Sequence, residues 1–344
     1  MKKVVHLCNV IFYAINIFIA MLLLATSLFS YIKVQVIPLF SFLSLAVPIL
    51  FIVNFFFFVY WLFKRKKKFV WSFLALLVGY IVFGSFYKIK SEDVNHVGDS
   101  HLKIMTYNTW GFNKNGWIKE PNVGDRIIEF IKDKDPDIVC IQEHSRIRYQ
   151  QLTQYPYRSE TAYPTSRSIQ AIFSKHPIVG NGSLDLPGTI NNIIYADIKL
   201  KTDTIRVYNF HLQSFNIVPS SETFSEEQSE KNYRRLVNTF AKQLEQAKIF
   251  KEHRSKSPYR SIVCGDMNNT QFSNVYRILK DDMFDTFIER GKGFGRTYNL
   301  LGFPLRIDYV MADSEFEIIS HQNFDEKLSD HYPVMATLQL KSKQ

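Results

Sequence analysis

Acidic residues are missing from the first 90 positions of this 344-residue chain, although the same stretch carries ten Lys and Arg residues, at 2, 3, 33, 64–68, 88 and 90. The whole chain has 42 basic and 32 acidic residues, so 91–344 holds 32 of each and the net charge of +10 belongs to the N-terminal quarter. A basic pI normally points to nucleic acid, but here the larger part of the chain is formally neutral and that inference fails. Cysteine is also scarce. Cys8, Cys140 and Cys264 show no paired spacing, which excludes a disulfide framework. Cys140 and Cys264 lie in apolar runs, where a small buried residue is the ordinary explanation, and a bond between them requires neighbouring strands. Internal repeats are absent, and so are low-complexity tracts outside the aromatic-rich N-terminal runs.

What the N-terminal quarter does contain is apolar. Three stretches, 4–30, 36–63 and 69–87, each reach the roughly 18–20 residues needed to cross a hydrocarbon core as a helix. A cleaved signal peptide accounts for the first only. Three transmembrane helices are therefore predicted for residues 1–90, the second kinked or tilted by Pro38, Pro48 and Asn54. The run Lys64-Arg65-Lys66-Lys67-Lys68, together with Lys2 and Lys3, favours the cytoplasmic side. Contact of that run with anionic headgroups gives the same side. Three spans then deliver the remainder outside, which makes this a multi-pass cell-membrane protein with the bilayer as its partner and an extracytoplasmic C-terminal domain. Nothing in the sequence points to a protein partner.

Residues 91–100 read as a polar linker, and 101–344 suit one large globular domain. Apolar runs rich in Val, Ile, Tyr and Phe recur at 102–107, 137–142, 170–173, 193–200, 205–210, 261–264, 306–311 and 334–340, and predict strands. Helical spacing of apolar residues predicts helices over 123–132 and 230–253.

Polar residues follow or flank these strands: Asn108, Glu143, His211, Asp266 with Asn268, Asp308, and Asp330 with His331. Any one of them ordinarily caps a turn. Six such places in one domain can converge on a cleft. Asp can deprotonate a water, Asn can hold it through its amide, and His can donate to a phosphoryl oxygen, a combination suited to phosphate hydrolysis.

In this order the residues resemble the endonuclease/exonuclease/phosphatase superfamily of DNase I-like nucleases, sphingomyelinases, inositol-polyphosphate phosphatases and deadenylases. The matching blocks are Met105-Thr106-Tyr107-Asn108, Ile141-Gln142-Glu143, Ile172-Phe173-Ser174-Lys175-His176-Pro177, Asn209-Phe210-His211-Leu212, Gly265-Asp266-Met267-Asn268, Arg306-Ile307-Asp308-Tyr309 and Ser329-Asp330-His331-Tyr332-Pro333. The resemblance implies an α/β domain, a four-layer α/β/β/α sandwich preceded by the three transmembrane helices. It implies a divalent metal held mainly by Glu143 with Asn108 and Asp330 close by, and oxygen and amide ligands suit Mg²⁺ or Mn²⁺ over Zn²⁺. Asp266 would activate water, Asn268 would hold that water or the phosphate, His331 oriented by Asp308 would bind a phosphoryl oxygen, and His211 would face the leaving group. His211 stands where abasic-site endonucleases tend to carry Tyr, which disfavours a repair role. Its acidic partner is not evident in the sequence.

Three readings stay open. The first is a membrane-anchored metal-dependent phosphoesterase acting on phospholipid headgroups or small phosphate esters, and the second a tethered nuclease acting on external nucleic acid. The third is a non-catalytic scaffold or binding module of the same fold. Balanced charge weighs mildly against the nuclease. The segment 214–230 and the pentad Phe294-Gly295-Arg296-Thr297-Tyr298 are candidate specificity elements, with Arg296 a candidate phosphate ligand.

Overall fold

The computed structural model describes residues 2–31, 38–85, 87–89, 101–163, 167–184, 186–201, 203–215, 226–300 and 302–341. The 91–100 linker and most of the 214–230 segment lie outside them.

The N-terminal quarter forms three helices: α1 (Lys2–Phe29), α2 (Pro38–Phe63) and α3 (Val70–Phe83). Only two of them, over His6–Phe29 and Leu43–Phe63, are long and apolar enough to cross a membrane. This corrects the expectation of three spans. The third stretch yields a helix of 14 residues that stops at Gly84, whose φ of 75° ends the helical path, and that is short of the roughly 20 residues a span requires. The interior of this bundle mixes large apolar residues, among them Leu23, Val47 and Trp61, with small and polar ones. Small and polar residues face inward: Asn16 donates to Ser72, and Ala20, Ser27, Asn54 and Ala75 are buried. Large apolar residues face outward, among them Phe18, Phe56, Phe63 and Ile81.

The rest of the chain alternates strand and helix: β1 (His101–Asn108), α4 (Val123–Lys134), β2 (Ile138–Gln142), β3 (Tyr157–Glu160), β4 (Ala171–Ser174), β5 (Ile178–Leu184), β6 (Asn192–Leu200), β7 (Asp203–His211), α5 (Glu226–Ser255) and β8 (Arg260–Asp266). There follow α6 (Asn274–Lys280), β9 (Phe284–Asp285), α7 (Thr286–Arg290), β10 (Tyr298–Leu300), β11 (Phe303–Leu305), β12 (Asp308–Ala312), β13 (Phe316–Asn323) and β14 (Val334–Leu340). Two six-stranded sheets result, ordered β13-β14-β1-β2-β4-β3 and β5-β6-β7-β8-β12-β9.

Strand alternation assigns each side chain to a layer. Ile104, Cys140, Ile172, Val207, Ile262, Cys264 and Val310 point between the sheets, where both cysteines are buried free thiols. Their neighbours Met105, Val139 and Phe173 point outward against Ile127, Ile128 and Ile131 of α4. On the other sheet, Tyr208 and Val263 pack against Phe240 and Phe250 of α5 and Leu279 of α6. The four-layer α/β/β/α sandwich is thus present. A buried amide network crosses its middle: Gln142 Nε2 donates to Asn209 Oδ1 at 2.7 Å, and Asn209 Nδ2 donates to the carbonyls of Ile141 and Ala171, each at 2.9 Å.

Register decides where the chemistry goes. In the second sheet His211 pairs with Asp266 and Asp266 with Asp308, so three polar residues stand side by side on adjacent strands. In the first sheet Asn108 pairs with Gln142 at the corresponding edge. Gly265 permits the tight approach of β7 to β8, because its φ is 130° and a Cβ there would sit 2.2 Å from the Phe210 carbonyl oxygen.

Candidate active site

Asn108, Glu143, His211, Asp266, Asn268, Asp308, Asp330 and His331 all lie at this shared edge. Asp266 is the hub, being 1% exposed at the side chain. Asn108 Nδ2, from the opposite sheet, donates to Asp266 Oδ2 at 3.2 Å and to Glu143 Oε1 at 3.4 Å. The Asn268 backbone N–H donates to Asp266 Oδ1 at 2.7 Å, while its side-chain amide donates to the Leu212 carbonyl at 3.0 Å. Two imidazoles flank the same carboxylate, with Nε2 of His211 at 3.9 Å and Nε2 of His331 at 3.8 Å. Glu143 and Asn268 hold left-handed backbone conformations, φ 49° and 47°, of a kind that clusters where a site imposes geometry.

Electrostatics separate the two histidines. Burial opposes charge on His331, but the carboxylates of Asp308 and Asp266 outweigh it and hold the imidazolium well above its usual range. Nδ1 of that ring lies 2.9 Å from Asp308 Oδ2. Burial holds His211 in its neutral form below the usual value, against the pull of Asp266. Burial also raises Asp266, to about 6, even with His331 beside it. A base with that pKa is matched to proton transfer near neutrality.

Two donor sets are candidates for a cation. Glu143 is pushed up by burial and then by repulsion from Asp330, and its nearest basic neighbour, His211 Nε2 at 3.7 Å, is held neutral. A cation beside Glu143, Asp330 and Asn108 relieves that repulsion. Asp266, Asp308 and His331 form a second cluster with ligand atoms within 4.8 Å of one another. A protonated His331 already hydrogen-bonded to Asp308 is a donor rather than a ligand, so the first set fits a hard cation better.

Ser168 carried no signal in the sequence. Ser168 Oγ lies 3.1 Å from Nδ1 of His211, the ring for which no acidic partner is evident in the sequence. A serine in a polar loop carries no signal of such a role. Thr297 Oγ1 accepts from the backbone N–H groups of Ile307 and Asp308, at 3.0 and 3.1 Å, and so sets the start of β12. Tyr298 pairs with His331 across an isolated bridge, its ring 5.0 Å from the imidazole. Arg296, a candidate phosphate ligand, instead bonds Asp325 at 2.5 Å and lies over the Tyr332 ring. Of the 214–230 segment, Phe215 packs against Phe240 of α5.

Comparison with known proteins bears on the family and the fold. The profile of the Endonuclease/Exonuclease/phosphatase family matches residues 105–331, and that of a domain of unknown function, DUF8431, matches residues 9–86. No curated protein sequence matches. Among solved structures, an endonuclease/exonuclease/phosphatase from Beutenbergia cavernae aligns at 18% identity over 70% of this chain and 72% of its own, with a TM-score of 0.53. Danio rerio TDP2 complexed with single-strand DNA product aligns at 17% identity over 70% and 100%, with a TM-score of 0.54. The human Nocturnin catalytic domain with bound sulfate aligns at 14% identity over 71% and 95%, also at 0.54. At these identities the likeness is one of fold.

Proposed function

The chain belongs to the endonuclease/exonuclease/phosphatase family, and on that premise we propose that it is a membrane-anchored, divalent-metal-dependent phosphoesterase that cleaves phosphate esters by in-line attack of water. The observation that carries the proposal is the Asp266 carboxylate, buried, raised to about 6, and held between an amide from the facing sheet and two imidazoles. Asp266 accepts a proton as the water oxygen bonds to phosphorus, and the P–O bond to the leaving group breaks on the opposite side. Asn268 fixes the orientation of that carboxylate and supplies an amide for the water. The His331 imidazolium donates Nε2–H to a phosphoryl oxygen, and Asp308 holds the ring. Ser168 donating to Nδ1 of His211 leaves Nε2–H to face the leaving group as a hydrogen-bond donor. Glu143, Asn108 and Asp330 would hold Mg²⁺ or Mn²⁺, which polarises a phosphoryl oxygen and offsets charge in the transition state.

Anchoring is supported by the two long apolar helices, their outward-facing Phe and Ile side chains, and the basic run at 64–68. The catalytic domain touches α2 at Pro48, part-way along that helix, and α3 at its last residue, Phe83, both away from that run. With the run cytoplasmic, and with α3 rising about 20 Å back toward these contacts although it is shorter than a full span, the contacts support an extracytoplasmic domain. The tethered-nuclease reading has a DNA-bound fold neighbour in its favour, but the charge balance of residues 91–344 weighs against it.

The test is hydrolysis of bis(4-nitrophenyl) phosphate by the full chain in detergent with Mg²⁺ or Mn²⁺. Asp266→Asn is expected to lower kcat by about 10²–10⁴. Near-normal turnover by Asp266→Asn removes the proposal.

A further inference from the structure

The anchor helices and the candidate site meet. Pro48 of α2 lines a small pocket with Phe272, Phe294, Pro304 and Leu305, together with the polar Thr270, Gln271 and Arg306, and the Phe83 ring at the end of α3 packs edge-on at 5.5 Å against Phe272. Both contacts fall at one height. Helix rise gives about 24 Å from Lys64 back to Pro48 and about 20 Å from Val70 to Phe83. A hydrocarbon core is about 30 Å thick, so with the basic run in one headgroup layer these contacts lie about 6–10 Å short of the opposite boundary, and α2 continues past Pro48 toward it, to Pro38.

From those contacts the chain reaches the chemistry quickly. Phe272 follows Asn268 in the same loop, and Leu305 precedes Asp308 by three residues, a reach of about 10 Å at 3.3 Å per residue. Leu305 is paired directly with Tyr298 in the β10–β11 hairpin, and Tyr298 is bridged to His331. One cross-strand pair thus touches the helix pocket with one side chain and the phosphoryl-binding imidazole with the other.

Large apolar side chains are exposed at the same edge of the sandwich, beside the exposed Lys114. Ile147, Tyr163 and Ile190 come from three separate connections there, the first a 3₁₀ turn, and are 80%, 83% and 65% exposed. Tyr163 precedes β4, whose Ala171 pairs with Ile141 at the site edge, and Ile190 precedes Asn192, which pairs with His211. Trp117, 44% exposed, stacks at 4.1 Å on Trp110, two residues past Asn108. Large apolar side chains around a polar cleft, in a domain packed on a membrane anchor, suit the headgroup layer rather than bulk water.

We propose that the cleft opens onto the bilayer surface and takes a lipid-borne phosphoester, a phospholipid headgroup, as its substrate, with the helix bundle setting the height and tilt of the cleft. This rests on the membrane-anchored phosphoesterase reading given above. The lipid enters along the membrane plane, and the Leu305–Tyr298 pair keeps His331 in register with the phosphate layer.

The full chain reconstituted in vesicles of phosphatidylcholine, phosphatidylethanolamine and phosphatidylglycerol tests the two parts separately. Nitroxides are attached at Leu300→Cys and, on the far edge, at Lys199→Cys, each in a Cys8→Ser background. The label at 300 is expected to be relaxed by oxygen and shielded from an aqueous nickel chelate, and the label at 199 to behave oppositely. Equal exposure of both labels to water overturns the placement. In the same vesicles, headgroup release is compared with turnover of bis(4-nitrophenyl) phosphate. Phe294→Glu is expected to lower lipid turnover at least about tenfold more than turnover of the soluble ester, the order expected from losing one Phe at an apolar boundary. An equal loss on both substrates overturns the lipid assignment. Intact vesicle lipid beside rapid cleavage of the soluble ester overturns it too, while leaving the phosphoesterase reading standing. Cleavage of neither substrate counts against the phosphoesterase reading, and the nitroxide depths still decide the placement.

Discussion

Oδ2 of Asp308 lies 2.9 Å from Nδ1 of His331, while Nε2 of the same ring is 3.8 Å from Oδ2 of Asp266. Asp266 and Asp308 face each other across β8 and β12, and His331 descends from the loop before β14 in the other sheet. The ring is therefore held by one carboxylate and aimed past a second. Asp308→Asn is expected to act through His331: each single change lowers kcat by about 10²-fold or more, and Asp308→Asn added to His331→Ala costs little further. A double-mutant cycle on kcat and KM measures this, and additive losses would show that Asp308 works independently.

Glu143 carries a carboxyl raised by burial and by Asp330, with no Lys or Arg ion pair among the described residues. Removal of divalent metal with EDTA is expected to abolish turnover, and Mg²⁺ or Mn²⁺ to restore it. Glu143→Ala should raise the half-saturating metal concentration by at least about tenfold, since losing even a partner behind a ligand costs about 10–100-fold. Metal titration of activity and of calorimetric binding checks the two halves of this statement.

Gly79 faces Phe51 between α3 and α2, where a Cβ would stand 2.6 Å from Cζ of that ring. Gly79→Leu overfills the contact and is expected to cost about 1–3 kcal/mol. The thermal midpoint in detergent should fall, and Phe51→Ala should recover part of the loss in the double variant. No change in midpoint would mean that the two helices are not packed at this point.

His321 bonds Thr286 Oγ1 through Nδ1 at 2.7 Å and lies near Asn323, Asp285 and Arg306. Burial pushes its pKa down to about 4, Asp285 pulling up and Arg306 pushing down. The folded value lies below the unfolded one of about 6.5, so protons favour the unfolded chain. This contribution is present above about pH 6.5 and is lost as pH falls toward about 4. The thermal midpoint of His321→Gln is expected to decline less than that of wild type across this window.

Much of the site was legible because its residues end apolar strands. Ile138-Val139-Cys140-Ile141-Gln142 announces a buried strand, and the carboxylate of Glu143 that follows has no apolar place to go. The same logic located Asn108, His211 and Asp266. Edge strands were harder to see. β5 contains Gly180 and Gly182 and alternates between partial exposure and solvent along most of its length, and β13 is half polar, so neither shows the apolar run that marks a buried strand. The length of α3 was misjudged for another reason: hydropathy runs on past Phe83, while the backbone turns at Gly84 to bring Lys88 into pairing with Gly293.

By itself the sequence determined the strand periodicity, the two long apolar helices and the identity of the polar groups, because these depend on side-chain character within a few residues. Only the tertiary structure decided which groups share a proton or a charge. Ser168 reaches His211 across 43 residues, Asn108 reaches Asp266 across 158, and Phe83 meets Phe272 through the docking of a helix bundle on a sandwich. Such contacts are set by strand register and sheet stacking, which bring distant side chains within hydrogen-bond range without leaving a pattern in the local sequence.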